Sequence, residues 1–199
     1  MLVMFLVLWR GRRTYHLLFA VLLLIVACWD LGIFLVMIRN SDPNEVLLYQ
    51  NVVTIPVLFF PGFAFHFTTS YLNQPRRKLT IAIYAYCASA LLLVLLSPAS
   101  LAGAGGIRSY EWGNIASIEV TPVSVSWLLV YYLSLVLPCW MLFQARKREP
   151  SPVTRRHMGY ILASFIVFIA AQVKLLVTLG VDLPFTLPLG MSLVDSFGA

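Results

Sequence analysis

Charge is what this sequence has least of. Fourteen basic and eight acidic residues make 11% of a 199-residue chain, against roughly a quarter in an average soluble domain. So few charges cannot coat a water-soluble domain of this length, which excludes a soluble globular enzyme and a disordered tail. Cysteine is scarce too. Cys28, Cys87 and Cys139 each lie in an apolar run, where free cysteine behaves as a small hydrophobe. They form no CxxC pair and no disulfide framework. The three histidines, His16, His66 and His157, have no carboxylate or cysteine at ligand spacing, so no metal is expected. There is no H-E-x-x-H, no G-x-S-x-G and no phosphate-binding glycine loop. The serines and acids form no nucleophile–base set. Neither an enzyme nor a bound cofactor is expected.

What the sequence does have is long apolar runs. Hydrophobic residues make up 60% of it, and at roughly 20 residues per span the chain has room for about six membrane-spanning helices and their loops. Residues 17–38, 46–72, 79–96, 123–143 and 158–179 read as five complete spans. Residues 1–8 and 185–199 are too short to cross and read as an incomplete first and an incomplete seventh helix. The expected fold is an all-α polytopic bundle forming one domain over residues 1–199. The longest connection, residues 99–122, carries a turn signal at Gly113-Asn114 and is a candidate short hairpin. Pro56, Pro61 and Gly62 interrupt the third helix, where a kink and a hinge are expected.

The net charge of +6 has a topological reading, with no need of nucleic acid as a partner. Arg10, Arg12, Arg13, Arg76, Arg77, Lys78 and the five cations of residues 144–157 fall on one side of the predicted spans. Only Arg39 and Arg108 fall on the other, with most of the acids. Basic loops stay cytoplasmic. The amino end is therefore expected outside, the 99–122 loop outside, and the carboxyl end toward the cytoplasm of a bacterial inner membrane. The run Ile25-Val26-Ala27-Cys28 has the look of a lipoprotein cleavage box. It lacks a charged start and a polar sequence after the cut, so processing is not expected.

Asp30 and Lys174 stand inside predicted spans, where ionisable groups are costly and face the bundle interior or a wet cavity. Asp30 lies about 13 Å along the helix from Arg39, and Lys174 about 12 Å from Asp182, at 1.5 Å per residue. Both helices run outward, so the two groups are at similar depth. One reading pairs them, or has them line an outward cavity with Gln172. The other has Lys174 reach the outer headgroups while Asp30 bonds within the bundle. His66, in a Phe-rich stretch, is either a pH-sensitive group or a packed ring bonded to a neighbour. Trp29, Phe34, Phe59 and Phe63 flank Asp30 or the proline pair and are the candidates to line an apolar ligand pocket.

Several short motifs occur in order. They are WRGRR at residues 9–13, Trp29-Asp30-Leu31-Gly32, Pro61-x-x-x-x-His66-Phe67, Pro75-Arg76-Arg77, Trp112-Gly113 and Arg155-Arg156-His157. Together they resemble the seven-transmembrane region that precedes bacterial histidine kinases and some diguanylate cyclases. The resemblance implies a sensory input module. Its expected partners are the lipid bilayer, a small or lipidic ligand, a second copy of itself and a cytoplasmic signalling output domain that follows the seventh helix. It supplies no fixed set of ligand residues. Two other classes stay open: a small transporter or channel subunit built on Asp30, Gln172 and Lys174, and an assembly partner of another membrane protein.

Overall fold

The computed structural model describes residues 13–38, 43–96, 107–110, 113–116 and 122–171. Within them are five helices and one two-stranded hairpin. The helices are α1 (Thr14–Ile38), α2 (Pro43–Tyr71), α3 (Arg77–Leu96), α4 (Pro122–Arg148) and α5 (Pro152–Ala171). The hairpin joins β1 (Ile107–Tyr110) to β2 (Gly113–Ala116) between α3 and α4.

Helix ends follow local chemistry. α2, α4 and α5 each open on a proline, whose fixed φ suits the first helical position and whose missing N–H would have had no partner there. Ser151 caps α5, its Oγ accepting the Thr154 N–H at 3.4 Å and its carbonyl the Arg155 N–H at 2.9 Å. α2 ends on Asn73 at φ 52°, a left-handed conformation that Asn tolerates better than most residues. The Gln74 N–H bonds back to the Thr69 carbonyl at 2.9 Å and the Asn73 N–H to that of Ser70 at 3.3 Å. This double closure is a Schellman motif, and it satisfies carbonyls that the helix end would otherwise leave open.

α2 is the central helix. It packs against α1, α3 and α4, and β2 also lies against it. Between residues 57 and 69 most of it is buried, with Phe59, Phe63 and His66 half-buried along one face. One core cluster takes Leu18, Leu22 and Ile25 from α1, Val57, Phe60, Ala64 and Phe67 from α2, and Tyr131 and Leu135 from α4. α5 adds Ile161, Phe165, Phe168 and Ile169 at its edge. A second cluster, on another face of α2, joins Phe65 to Ile83 and Cys87 of α3 and Met141 of α4.

The ring contacts give the helix directions. Tyr15 meets Tyr71 at 5.7 Å and Phe19 meets Phe67 at 5.6 Å, so α1 and α2 are antiparallel. The start of α1, the end of α2, the start of α3, the end of α4 and the start of α5 therefore share one end of the bundle. That end carries Arg13, Arg76, Arg77, Lys78, Arg146, Lys147, Arg148, Arg155 and Arg156.

The outer surface is apolar. Leu17, Leu24 and Leu31 are exposed on α1 at a seven-residue spacing. On α4 the exposed stripe runs Val125, Leu129, Leu133, Val136, Trp140 and Phe143, steps of three and four that trace one helix face. Apolar stripes of that length are a liability in water and suit contact with lipid. Thr14–Gly32 and Ser124–Arg148 are long and apolar enough to cross a bilayer.

The hairpin pairs Ile107 with Ala116, Arg108 with Ile115, Ser109 with Asn114 and Tyr110 with Gly113. Gly113 and Asn114 thus belong to the second strand.

Candidate functional site

Among the expected hinge residues, Gly62 stands in close contact with a neighbouring helix. A Cβ built there would lie 3.0 Å from both Cδ1 and Cε1 of Tyr84 and 3.6 Å from the Cys87 Sγ. The missing side chain lets the Tyr84 ring rest on the α2 backbone. Pro61, next to it, is fully buried, and Pro56 is half-buried one and a half turns earlier. α2 runs through both prolines without a break in its helical assignment, although each removes one backbone donor from the helix.

Tyr84 ties this contact to His66. Its hydroxyl lies 3.3 Å from the His66 Nδ1, with the imidazole tautomer deciding which group donates. The Tyr84 ring also stands edge-on to Phe63 at 5.5 Å and to His66 at 6.0 Å. Such edge contacts set the positive rim of one ring against the negative face of another. Gly62, Phe63 and His66 on α2 are thus all held by one α3 side chain.

α3 is tied in turn to α4. The Tyr86 hydroxyl donates to the Trp127 carbonyl at 2.6 Å. The Trp127 ring packs against Leu58 and Ala90 and is tilted on Tyr131 at 5.2 Å. Tyr131 is fully buried, and its hydroxyl has no hydrogen-bond partner among the described residues. The Thr68 hydroxyl and the His16 Nδ1 share that condition.

On the opposite face of α2 an aromatic column reaches α1 and α5. Phe168 stacks on Phe60, with centroids 3.8 Å apart and planes at 17°, and meets Trp29 edge-on at 5.6 Å. Phe165 meets Phe67 at 6.3 Å.

The sequence candidates therefore separate. Trp29 and Phe63 sit against the main core cluster, and Phe59 packs between the other two. Phe34 is 57% exposed on α1. Asp30 is half-buried beside Trp29. Gln172 and Lys174 lie outside the described residues, as do the expected first and seventh helices. Tyr84, Tyr86 and Tyr131 carry the cross-helix contacts, and sequence reasoning passed over all three. Among the described residues no three His, Cys, Asp or Glu side chains gather as a metal site would require.

Comparison with known families gives a match over nearly the whole chain. The family model described as the N-terminal 7TM region of histidine kinase covers residues 1–194. No curated protein and no solved structure matches the chain.

Proposed function

The chain belongs to the family of N-terminal 7TM regions of histidine kinases, and from that premise we propose that it is a membrane-embedded sensory input module whose helix packing is read by a cytoplasmic output. In this reading the five described helices are spans of a seven-helix bundle in a bacterial inner membrane. The basic end faces the cytoplasm, the hairpin faces outward, and the carboxyl-terminal helix runs inward to a kinase-type domain, with the module acting as a dimer. The clustering of cations at one end of the helices supports the orientation.

The observation that carries the proposal is the Gly62–Tyr84 contact. α2 holds two prolines, and at Gly62 its backbone meets the Tyr84 ring of α3 directly. A turn or slide of α2 at that point must displace Tyr84. Through Tyr86 and the Trp127 carbonyl, α3 displaces α4. The signal acts by binding one of two bundle packings better than the other. A ligand with equal affinity for both would shift nothing. Asp30, Lys174 and Gln172 are proposed to form the polar part of the outer half. The charge swap tests this element: Asp30→Lys and Lys174→Asp each impair expression, and the double variant recovers it.

The proposal as a whole is tested by joining the chain, at its carboxyl end, to a soluble dimeric histidine kinase and measuring autophosphorylation in vesicles. Gly62→Ala and Tyr84→Ala are expected to change the basal rate in folded protein. Rates identical to the parent in both folded variants would contradict it. So would solute flux through liposomes holding the chain alone, which is the property of a transporter.

A further inference from the structure

The cations at the basic end differ in what they do. Arg155 is tied to the α4–α5 turn, its Nε donating to the Glu149 carbonyl at 3.1 Å and its Nη2 to that of Pro150 at 3.4 Å. Lys147 lies over the Phe143 ring, with Nζ 4.3 Å from the centroid. Arg146 reaches across to α5 instead. A Cβ built on Gly159 would lie 3.5 Å from its Nε, 3.6 Å from its Cζ and 3.8 Å from its Nη2. The guanidinium rests in the notch that this glycine leaves.

Glu149 is the one carboxylate between residues 120 and 181. Its Oε1 accepts the Ser151 N–H at 3.2 Å. Arg146 has no ion-pair partner among the described residues. Within two turns of Arg146 or Gly159 along the same two helices, Trp140, Phe143 and Tyr160 are all exposed. Tyrosine and tryptophan favour the level of lipid headgroups. A planar guanidinium favours the paired oxygens of a phosphate.

We propose that the notch between the last turn of α4 and the first turns of α5 binds an anionic phospholipid, with its phosphate on Arg146 and its apolar part against Phe143, Trp140 and Tyr160. Charge complementarity selects this occupant over a zwitterionic lipid, and the apolar border selects it over a free anion. The site lies beside the turn joining two helices of the input bundle, so lipid composition becomes an input to the module. The proposal rests on the membrane reading above. It does not depend on which way the bundle is oriented.

The test uses the whole chain in phosphatidylcholine nanodiscs containing a minor fraction of phosphatidylglycerol, with bound lipid counted by native mass spectrometry. Retention of phosphatidylglycerol over phosphatidylcholine is expected. Arg146→Gln should lower that preference about fivefold, the effect of one cation at a membrane surface. Gly159→Leu keeps every charge and fills the notch, and should lower it comparably. Arg146→Lys, which keeps the charge and loses the fork, serves the same purpose if Gly159→Leu does not fold. Arg13→Gln removes the same charge at the same end and should leave the preference unchanged.

An equal loss in Arg13→Gln would mean diffuse attraction and overturn the site. Displacement of the lipid by millimolar inorganic phosphate would make the notch a free-anion site and overturn it as well. Failure of the chain to enter the discs would overturn the membrane reading together with this proposal. Entry without lipid preference would overturn this proposal alone.

Discussion

The Tyr86 hydroxyl donates to the Trp127 carbonyl at 2.6 Å, a bond that runs from α3 to α4 without passing through α2. The acceptor lies one turn before Tyr131, whose N–H looks to the same carbonyl within the α4 helix. Tyr86→Phe therefore removes a tie between helices and leaves the α4 carbonyl satisfied. The expected loss is about 0.5–1.5 kcal/mol, the net value of one hydrogen bond. Thermal unfolding in a mild detergent measures it. An unchanged midpoint would show that α3 and α4 are held by packing alone.

Gly62 should be the least tolerant position on α2. A methyl group at 3.0 Å from two carbons of the Tyr84 ring forces the ring or the helix to move. Overpacking of this kind costs about 1–3 kcal/mol. Gly62→Ala is expected to lower the unfolding midpoint, and Tyr84→Ala to relieve part of the loss when the two are combined. Losses that simply add would mean that the two residues do not press on one another.

Tyr131 invites the opposite change. Its hydroxyl is buried without a partner among the described residues, and such a group costs about 1–3 kcal/mol. Tyr131→Phe keeps the ring in the core and removes the oxygen. The variant is expected to be as stable as the parent or more so. A clear loss of stability would reveal a partner for that hydroxyl.

Leu133 separates lipid from water. It is exposed on the α4 stripe. In water an exposed Leu→Arg change is close to neutral. Near the middle of a span it costs about 2.5–3.5 kcal/mol. Leu133→Arg should sharply reduce membrane insertion in cells, scored as protein recovered in the membrane fraction. Normal insertion would argue that this face meets protein or water.

Much of the architecture was legible in the residues. Apolar run lengths mark the helices. Their starts are less plain: α2, α4 and α5 open on Pro43, Pro122 and Pro152, and an apolar run does not include the proline that opens it. The basic turns at Pro75-Arg76-Arg77 and Arg155-Arg156 identify the ends that the structure brings together. The site was less legible. When helices are apolar on every face, periodicity does not say which face meets which neighbour. Tyr84, Tyr86 and Tyr131 therefore carried no sequence signal. Gly62 stood out only as a partner of Pro61, and its role as a gap filled by Tyr84 needed the third dimension. Phe34 lies one turn from Asp30 on the same side of α1, yet its ring is exposed, and run length and proximity in sequence carry no signal of that.

The account turns on which side of the membrane holds the basic end, because that is where an output domain must read the bundle. The most direct measurement labels single cysteines with a membrane-impermeant maleimide, after the three native cysteines are replaced by alanine. Ser109→Cys lies in the hairpin and Pro150→Cys in the α4–α5 turn. The account predicts labelling of Ser109→Cys in intact cells, and of Pro150→Cys only after the membrane is permeabilised. Labelling of Pro150→Cys in intact cells would contradict it.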